Sequence, residues 1–237
     1  MASDLNFTLH KGDFVAIVGV NGIGKSTLLR TLGGVQDALS GAIYINGKLL
    51  ANHSNEELAI QRSLVLTEPL AAKNLTAKEL ISLGRQPYTN WLGILREKDR
   101  EVIKKAIEGV GITSFQDRKC FELSDGQLQK VLIARALAQD TPVILMDEPT
   151  THLDLYHKVQ ILQMIKQIAH DMQKTVVYTT HEIDLAIQLC DKILILDKPE
   201  NHFGTPCELI ENNSFQTLFP EDLIRFDPNS GSFKIKN

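Results

Sequence analysis

The chain has 237 residues, which is enough for one large domain or for a core with a subdomain. Its 43% hydrophobic and 23% charged residues are typical of a globular protein, and its net charge of −4 argues against nucleic-acid binding as the main role, because surfaces that bind nucleic acids are usually basic. No apolar run approaches the roughly 18 residues of a membrane-spanning helix, no secretory signal is visible, and the three scattered cysteines form neither a disulfide framework nor a metal set, so we expect a reducing, cytoplasmic setting.

The first elements predicted are two strands. Leu5, Phe7 and Leu9 alternate with polar residues, a pattern that indicates a half-buried strand. Residues 14–18, Phe-Val-Ala-Ile-Val, form a continuous apolar run, which indicates a strand buried on both faces.

A glycine-rich loop follows the second strand directly. Residues 19–26 read Gly-Val-Asn-Gly-Ile-Gly-Lys-Ser and match the phosphate-binding pattern G-x-x-x-x-G-K-[ST] in full. Glycines let backbone N–H groups point at phosphate oxygens, Lys25 is suited to bridge terminal phosphates, and the Ser26 hydroxyl is suited to bind Mg²⁺. A purely structural glycine turn is disfavoured, because a strand precedes the loop and a helix follows it. The candidates for phosphate binding are Gly19, Asn21, Gly22, Ile23, Gly24, Lys25, Ser26 and Thr27.

The remaining elements alternate between strands and helices. Asn46-Gly47 predicts a tight hairpin, and helical signals dominate residues 76–139, which Pro87 and Gly93 divide into several helices. Further strands are predicted at 64–67, 143–146, 175–179, 193–196 and 232–235, and further helices at 159–172, at 183–190 and after residue 204. Such alternation predicts a parallel α/β sheet with ligands at the carboxyl ends of its strands.

A second motif, Leu-Ser-Asp-Gly-Gln, stands at residues 123–127. Locally, Ser124 and Gln127 form a capping box that opens a helix over residues 128–138. Together with the glycine-rich loop, the motif resembles the signature L-S-G-G-Q of ATP-binding cassette (ABC) ATPases. Asp125 departs from that signature at its third position.

The resemblance to ABC ATPases covers most of the chain and keeps the family's order of motifs. Residues 143–147 match the apolar strand and aspartate of the Walker B motif, and Glu148 stands where the family places its catalytic glutamate. Residues 149–154 match the D-loop, and His181 matches the switch histidine. The resemblance implies an α/β fold in which a P-loop NTPase (RecA-like) core with a parallel sheet carries an inserted α-helical signature subdomain. The implied divisions are 1–75 for the first part of the core, 76–140 for the helical subdomain, and 141–237 for the second part of the core with a C-terminal helix and short strand.

The resemblance also implies how phosphoryl transfer is carried out. Asp147 would hold Mg²⁺ beside Ser26, and Glu148 would polarise the attacking water as general base. His181 would contact the γ-phosphate. The implied cofactors are ATP and Mg²⁺.

In this family the signature motif reaches the nucleotide held by the opposite subunit. Ser124, Gly126 and Gln127 are therefore expected to contact ATP bound to a second copy of the chain, and Asp154 is expected to lie at the interface. The implied assembly is a head-to-tail homodimer with two composite sites.

Two features besides Asp125 depart from the family pattern. Family members usually have glutamine at the end of the strand predicted at 64–67, where this chain has Glu68. By its position Glu68 is a candidate catalytic and metal-binding residue, because a carboxylate can ligate Mg²⁺. In addition, Gly19 comes early, and we expect the family's upstream strand and adenine-stacking aromatic to be missing, with weaker adenine affinity and retained phosphate binding.

Residues 75–93 favour one branch of the family. The run from Leu75 to Thr89, with Trp91-Leu92-Gly93 after it, looks like cassettes of iron–siderophore, haem and cobalamin importers, in which the preceding loop docks a helix of a membrane subunit. This implies transmembrane permease partners, no nucleic-acid partner, and a cytoplasmic position on the inner face of the cell membrane. The alternatives are a soluble ABC ATPase of repair, translation or cofactor assembly, the ATPase of an exporter, and a nucleotide-binding regulator that hydrolyses little.

Reactive residue types outside these motifs are interpreted as structural. Cys120, Cys190 and Cys207 are expected to be buried or incidental thiols rather than nucleophiles. His53 and His202 have no motif context and are expected at the surface.

Overall fold

The computed structural model of the chain describes residues 3–68, 73–198, 200–220 and 222–235. The strands are Phe14–Val18 (β1), Tyr44–Ile45 (β2), Lys48–Leu49 (β3), Arg62–Val65 (β4), Val143–Met146 (β5), Thr175–Thr179 (β6), Lys192–Ile195 (β7), His202–Gly204 (β8), Ile224–Asp227 (β9) and Ser232–Ile235 (β10). The α-helices are Lys25–Leu32 (α1), Asn55–Gln61 (α2), Ala77–Ser82 (α3), Glu97–Gly109 (α4), Asp125–Ala138 (α5), Leu155–Asp171 (α6), Ile183–Leu189 (α7) and Pro206–Glu211 (α8).

Within the described residues, six strands form the main sheet, in the order β4-β5-β6-β1-β7-β8. The edge strand β8 runs antiparallel to β7, whereas the other neighbours are parallel. Every residue of β1 and β6 is buried, which is why neither sequence alternates between apolar and polar residues. The parallel strands end at one common edge, which is where ligands bind in folds of this kind.

Helices cover both faces of the main sheet. Phe14, Ala16 and Val18 of β1 belong to the larger core, which also contains buried residues of α3 to α7. Val15 and Ile17 point the other way and pack with α1. Each large apolar side chain buried here stabilises the fold by roughly 1.5–3 kcal/mol.

Helices α3, α4 and α5 form an insertion between β4 and β5. The helix α3 begins at a capping box, in which the Glu79 N–H donates to the Thr76 hydroxyl at 3.1 Å and the Thr76 N–H donates to the Glu79 carboxylate at 2.7 Å. A 3-10 helix, Leu83–Tyr88, follows it. Gly84 lets this turn approach α5, because a Cβ atom there would lie 2.3 Å from the carbonyl oxygen of Arg135.

A buried ion pair joins this 3-10 helix to α4. The side chains of Arg85 and Asp99 are 3% and 5% exposed, and Arg85 Nη2 lies 2.9 Å from Asp99 Oδ1. The Arg96 N–H donates to the other carboxylate oxygen at 2.9 Å. Burial by itself raises the pKa of Asp99, but the hydrogen bonds from Arg96 and Arg85 outweigh it, so that the pKa lies below its ordinary value.

Asp99→Ala should strongly destabilise the fold at neutral pH. The substitution leaves the buried Arg85 unpaired, which costs about 3–5 kcal/mol. The pKa of Asp99 is lower in the folded than in the unfolded chain. Its contribution to the free energy of unfolding is therefore complete when the pH is above the unfolded pKa of about 3.9, and it is lost as the pH falls through the folded pKa. Urea titrations at pH 7 and at about pH 3 measure the difference from wild type.

The exposed Glu101 of the same helix provides the control, because Glu101→Ala should change the free energy of unfolding by no more than about 0.5 kcal/mol. An Asp99→Ala protein as stable as wild type at pH 7, or one whose deficit does not shrink in acid, would contradict this account.

The N-terminal segment differs from its prediction. Leu5, Phe7 and Leu9 are partly buried and their neighbours are exposed, as the alternation indicates, but residues 3–10 join no ladder with the described strands. Side chains hold the segment instead. The ring of Phe7 lies 5.0 Å from that of Phe203, and the Asn201 amide donates to the Ser3 carbonyl at 2.7 Å.

Several element bounds also differ. The strand β4 ends at Val65 rather than at residue 67, because Val65 pairs with Met146 at the end of β5. The helix α5 begins at Asp125, before residue 128, because Ser124 itself is its N-cap. The three-residue β8 and the four-residue β9 lacked a clear apolar pattern and were not predicted.

Predictions were also made for residues outside the motifs, and the structure contradicts the one for His53 but agrees with the one for Cys190. The side chain of His53 is only 6% exposed, and its ring nitrogens find no hydrogen-bond partner among the described residues, so the expectation of a surface position was wrong. His53 directly precedes the N-cap of α2, a position that often carries an apolar contact. Cys190 is buried, which raises its pKa to about 12 and leaves it unsuited to act as a nucleophile.

Candidate nucleotide-binding and catalytic site

The glycine-rich loop forms the turn between β1 and α1. A Cβ atom at Gly19 would lie 2.5 Å from the Leu196 carbonyl oxygen, so this position needs glycine. Gly24, with a φ of 112°, leads into α1 in a conformation that side chains disfavour. No side chain caps α1 in the described chain, and its first N–H groups are available to an anion. The predicted phosphate-binding residues from Gly19 to Thr27 therefore surround one helix N-terminus.

Lys25 holds this loop in shape. Its Nζ donates to the carbonyl oxygen of Gly19 at 2.8 Å and to that of Val20 at 3.3 Å. Burial lowers the pKa of Lys25, and the nearby carboxylates of Glu148 and Asp147 partly oppose that shift. The ammonium group thus lies between the loop carbonyls and the acids at the end of β5.

A set of oxygen atoms meets at the buried Asp147. Ser26 Oγ donates to Asp147 Oδ1 at 2.8 Å, and Thr179 Oγ1 donates to the same atom at 2.6 Å. Thr67 Oγ1 lies 3.5 Å from Oδ2. Hydroxyl and carboxylate oxygens are the ligands that Mg²⁺ prefers, so the donor set at Ser26 and Asp147 fits this ion.

Glu148 occupies an unusual turn directly after β5. Its φ is 44°, in the left-handed region that few residues other than glycine adopt, and such conformations concentrate at functional sites. The Glu148 N–H donates to Thr179 Oγ1 at 2.9 Å, and Thr151 Oγ1 donates to Glu148 Oε2 at 3.0 Å. The carboxylate is therefore oriented by protein groups alone.

His181 lies between two carboxylates. Its Nδ1 is 3.6 Å from Glu148 Oε2, and its Nε2 is 3.3 Å from Glu182 Oε1. The same Glu182 oxygen forms an ion pair with Lys158 of α6. The structure thus brings Lys25, Ser26, Asp147, Glu148 and His181 together at the carboxyl edge of the sheet.

The signature residues lie outside this cluster. Ser124 and Gln127 form the predicted capping box, with the Gln127 N–H donating to Ser124 Oγ at 3.3 Å. A Cβ atom at Gly126 would lie 3.6 Å from a methyl carbon of Leu153. Among the described residues, no hydrogen bond connects the signature residues with the glycine-rich loop of the same chain. Asp154, also predicted as a site residue, caps α6 by accepting the His157 N–H at 2.9 Å.

Glu68 is separate as well. Its side chain is 69% exposed and lies 3.3 Å from Arg30 Nη2 of α1. No hydrogen bond joins it to Ser26 or Asp147 in the described structure. Residues 69–72, which follow Glu68, lie outside the described residues.

Sequence reasoning missed the residues that orient the acids. Thr179 joins Asp147 to the backbone of Glu148, Thr151 binds the Glu148 carboxylate, and Lys158 holds Glu182 next to His181. The sequence could have indicated Thr179 as a site residue, because it is a polar residue at the carboxyl end of a strand in the centre of the sheet.

Comparison with known proteins supplies the identity of this arrangement. Residues 2–151 match the family described as ABC transporter. The chain belongs to this family. It is an ABC ATPase with the P-loop NTPase fold, and the resemblance inferred from its motifs is confirmed.

Two relatives are named as import ATP-binding proteins of ABC systems. The petrobactin import ATP-binding protein FpuD of Bacillus anthracis is 36% identical over 231 residues, covering 97% of this chain and 85% of that protein. The iron(3+)-hydroxamate import ATP-binding protein FhuC of Bacillus subtilis (strain 168) is 37% identical over 223 residues, covering 94% and 83%.

Solved ABC structures resemble the fold closely. An inward-facing putative metal-chelate type ABC transporter matches with a TM-score of 0.78 at 30% identity, over 91% of this chain and 82% of that one. The dimeric structure of MJ0796, a bacterial ABC transporter cassette, matches with a TM-score of 0.71 at 29% identity, over 84% and 88%. Within the described residues of this cassette, no helix combines the length and apolarity needed to cross a membrane.

Thr179→Val should weaken both stability and turnover of this cassette. Valine keeps the shape of the side chain but removes the hydroxyl that serves Asp147 and the Glu148 N–H, and an unsatisfied buried group costs about 1–3 kcal/mol. Thr179→Ser keeps the hydroxyl and should retain most of both properties. Urea titration and phosphate-release assays compare the two variants. Equal behaviour of valine and serine at this position would show that the hydroxyl has no such role.

Proposed function

We propose that this chain is the ATP-hydrolysing subunit that energises a membrane importer, with an iron–siderophore, haem or cobalamin as the transported compound. The observation that carries the proposal is the cluster at the carboxyl edge of the sheet. There the glycine-rich loop meets the Ser26 and Asp147 oxygen atoms, which suit Mg²⁺, and the oriented carboxylate of Glu148. The names of the relatives supply the transport context, since one is a petrobactin import and the other an iron(3+)-hydroxamate import ATP-binding protein.

Each residue of the cluster takes one part of the reaction. Lys25 and the N–H groups from Gly19 to Thr27 bind and neutralise the phosphates of the substrate ATP. Glu148 accepts a proton from the attacking water, and its hydrogen bond with Thr151 orients it for that task. His181, whose Nδ1 lies 3.6 Å from Glu148 Oε2, would contact the γ-phosphate.

Mg²⁺ is the proposed metal cofactor, with Ser26 and Asp147 as its protein-side partners. The Ser26 hydroxyl and Asp147 carboxylate lie 2.8 Å apart, and Thr179 fixes the carboxylate from the neighbouring strand β6. When bound, the ion would neutralise charge on the phosphates of ATP.

Glu68→Gln should change the response of ATP turnover to Mg²⁺. In the described structure Glu68 pairs with Arg30, so a role at the metal requires the carboxylate to leave that partner. If it does so, removing its charge lowers the attraction for Mg²⁺, and half-maximal turnover should require more Mg²⁺. Arg30→Met is the matched control, because it frees the Glu68 carboxylate and should shift the response in the opposite direction. An unchanged Mg²⁺ titration for Glu68→Gln would exclude Glu68 from the metal site.

A head-to-tail homodimer completes the proposed site. Ser124, Gly126 and Gln127 lie at the N-terminus of α5, whose partial positive charge suits an anion, but among the described residues no hydrogen bond joins them to the glycine-rich loop of their own chain. In a dimer they would meet the γ-phosphate held by the partner subunit, with Asp154 at the interface. The dimeric structure of the related MJ0796 cassette supports this assembly.

The helical insertion offers a surface for the permease. A cavity of about 450 Å³ lies against α3 and α4. Its apolar residues are Leu95, Ile103 and Ile107, and its basic residues are Lys78, Arg100 and Lys104. Trp91, in the loop before α4, is 90% exposed. We assign this surface to the transmembrane subunits, which would hold the cassette at the cytoplasmic face of the membrane.

Affinity purification of the tagged chain from detergent-solubilised membranes tests the transport role. We expect recovery of a polytopic membrane protein and faster ATP hydrolysis in the complex than in the isolated cassette. Recovery of only soluble partners, with no stimulation by membrane proteins, would instead favour a soluble ABC ATPase.

A further inference from the structure

Helix α5 connects two distant features of the molecule. Its N-terminus carries the signature residues Ser124 and Gly126, and its last residue is Ala138, just before β5. A helix of 14 residues spans about 21 Å. Since the helix is rigid, whatever fixes its C-terminal end also fixes where the signature residues lie.

The C-terminal end of α5 is held by side chains of the 3-10 helix Leu83–Tyr88. Arg85 Nη1 donates to the Ala138 carbonyl at 2.8 Å, and the Tyr88 hydroxyl donates to the Gln139 carbonyl at 2.9 Å. The Arg85 guanidinium lies 3.9 Å from the centre of the Tyr88 ring, so that the two donors form one unit.

The same arginine binds α4. Arg85 Nε donates to Asp99 Oδ1 at 3.0 Å, and both side chains are almost completely buried. Buried ion pairs contribute little net stability compared with apolar residues, and their best-attested use is to fix one geometry among several. Arg85 therefore sets how the first turn of α4 sits relative to the last turn of α5.

Gln139 links this end of the helix to the sheet core. Its side-chain amide donates to the carbonyl oxygens of Ala59 at 2.7 Å and Arg62 at 3.0 Å, where α2 leads into β4. The end of α5 thus has fixed contacts to both the insertion and the core, whereas its N-terminus is secured by its own capping box.

We propose that Arg85, together with Asp99 and Tyr88, is a positioning group that sets the direction of α5 and so places Ser124 and Gly126 on the nucleotide of the partner subunit. This role rests on the proposed function, because it presupposes the head-to-tail dimer. Among the described residues, the group makes no hydrogen bond with the residues assigned to phosphate or Mg²⁺. Asp99 directly precedes Arg100, which lines the cavity assigned to the permease, so a movement of α4 at that cavity would reach the signature motif through the same ion pair.

The test separates nucleotide binding within one chain from assembly between two chains. All variants are made in the Glu148→Gln background, where hydrolysis should be blocked and ATP-bound dimers should persist. Calorimetry with ADP and Mg²⁺ measures the phosphate loop alone, because ADP lacks the γ-phosphate that the partner's signature would contact. Light scattering against ATP concentration measures dimer formation.

Arg85→Lys keeps the charge but loses the planar arrangement of donors that serves Asp99 and Ala138 together. We expect ADP affinity within about twofold of the parent protein, and an ATP concentration for half-maximal dimerisation raised by about tenfold. Tyr88→Phe removes only the hydroxyl that donates a hydrogen bond to the Gln139 carbonyl oxygen. It should raise the ATP concentration for half-maximal dimerisation by a smaller factor, which provides a second test if the Arg85→Lys protein folds poorly.

Ile161→Ala is the matched control for lost stability, because Ile161 is buried on α6 and takes no part in these hydrogen bonds. It should lower the melting temperature without raising the ATP concentration needed for dimers. The positioning role is overturned if the Arg85→Lys and Tyr88→Phe proteins need no more ATP for dimerisation than the Ile161→Ala protein does. It is also overturned if their affinity for ADP falls by as large a factor as their ATP-dependent dimerisation. If the parent protein itself forms no ATP-dependent dimer, the proposed function fails first and the positioning role fails with it.

Discussion

Glu148→Gln should abolish ATP turnover while ATP binding persists. The amide keeps the shape of the side chain but cannot accept a proton from water, and loss of a general base lowers rates by about 10²–10⁴-fold. The hydrogen bond from Thr151 at 3.0 Å and the approach of His181 to 3.6 Å orient the carboxylate. Phosphate release measures turnover, and calorimetry measures ATP affinity.

A second consequence follows for assembly. ATP that bridges two subunits stabilises their dimer by mass action, so a protein that binds ATP without hydrolysing it should accumulate as dimers. The exposed Glu56 of α2 serves as control, since Glu56→Gln should leave turnover unchanged. If hydrolysis persists in the Glu148→Gln protein, another group is the general base.

Lys25→Met should weaken ATP binding by about tenfold to a hundredfold, because a charge-assisted hydrogen bond contributes about 1.5–3 kcal/mol. Methionine preserves the apolar stem and removes the ammonium group. It also removes the hydrogen bonds to the Gly19 and Val20 carbonyls, so the loop loses part of its support before the nucleotide arrives. Lys105→Met, at an exposed position on α4, should have no such effect.

The lowered pKa of Lys25 adds a dependence on pH. The folded protein holds this proton less tightly than free lysine does. As the pH rises, the wild-type affinity for ATP should therefore begin to fall at a pH lower than the ordinary lysine pKa of about 10.4. The Lys25→Met protein lacks the titrating group, and its weak binding should not share this decline. Parallel pH profiles for the two proteins would argue against direct contact between Lys25 and phosphate.

The parts of the site that the sequence predicted are those set by local chemistry. The loop from Gly19 to Ser26 requires its glycines for backbone reasons, and its flanking strand and helix lie next to it in the chain. The Ser124 and Gln127 capping box is likewise complete within four residues. The strand β5 was predictable because a strand covered on both faces of a sheet forms one continuous apolar run in the sequence.

The parts that could not be predicted depend on contacts between distant segments. Thr179 reaches Asp147 only because β5 and β6 are neighbours in the sheet, and Arg85 reaches Ala138 across 53 positions of the chain. The pairing of Glu68 with Arg30 is a similar long-range contact. The alternation at Leu5, Phe7 and Leu9 predicted burial correctly but not strand pairing, since pairing depends on a neighbour that local sequence does not specify.

The most direct test of the composite site is a mixing experiment with two inactive variants. Lys25→Met disables the phosphate loop, and Gly126→Asp places a negative charge where the partner's γ-phosphate would lie. The fold can accommodate Gly126→Asp, because a helix N-terminus favours acidic residues and a Cβ atom at Gly126 would lie no closer than 3.6 Å to any described neighbour.

In a head-to-tail heterodimer of these two variants, one site contains both defects and the other contains neither. The measurement is ATP hydrolysis by each variant alone and by their mixture at equal total concentration. We predict that the mixture hydrolyses ATP clearly faster than either variant. A mixture no faster than the mean of the two would contradict the composite site and place the signature motif outside the partner's nucleotide.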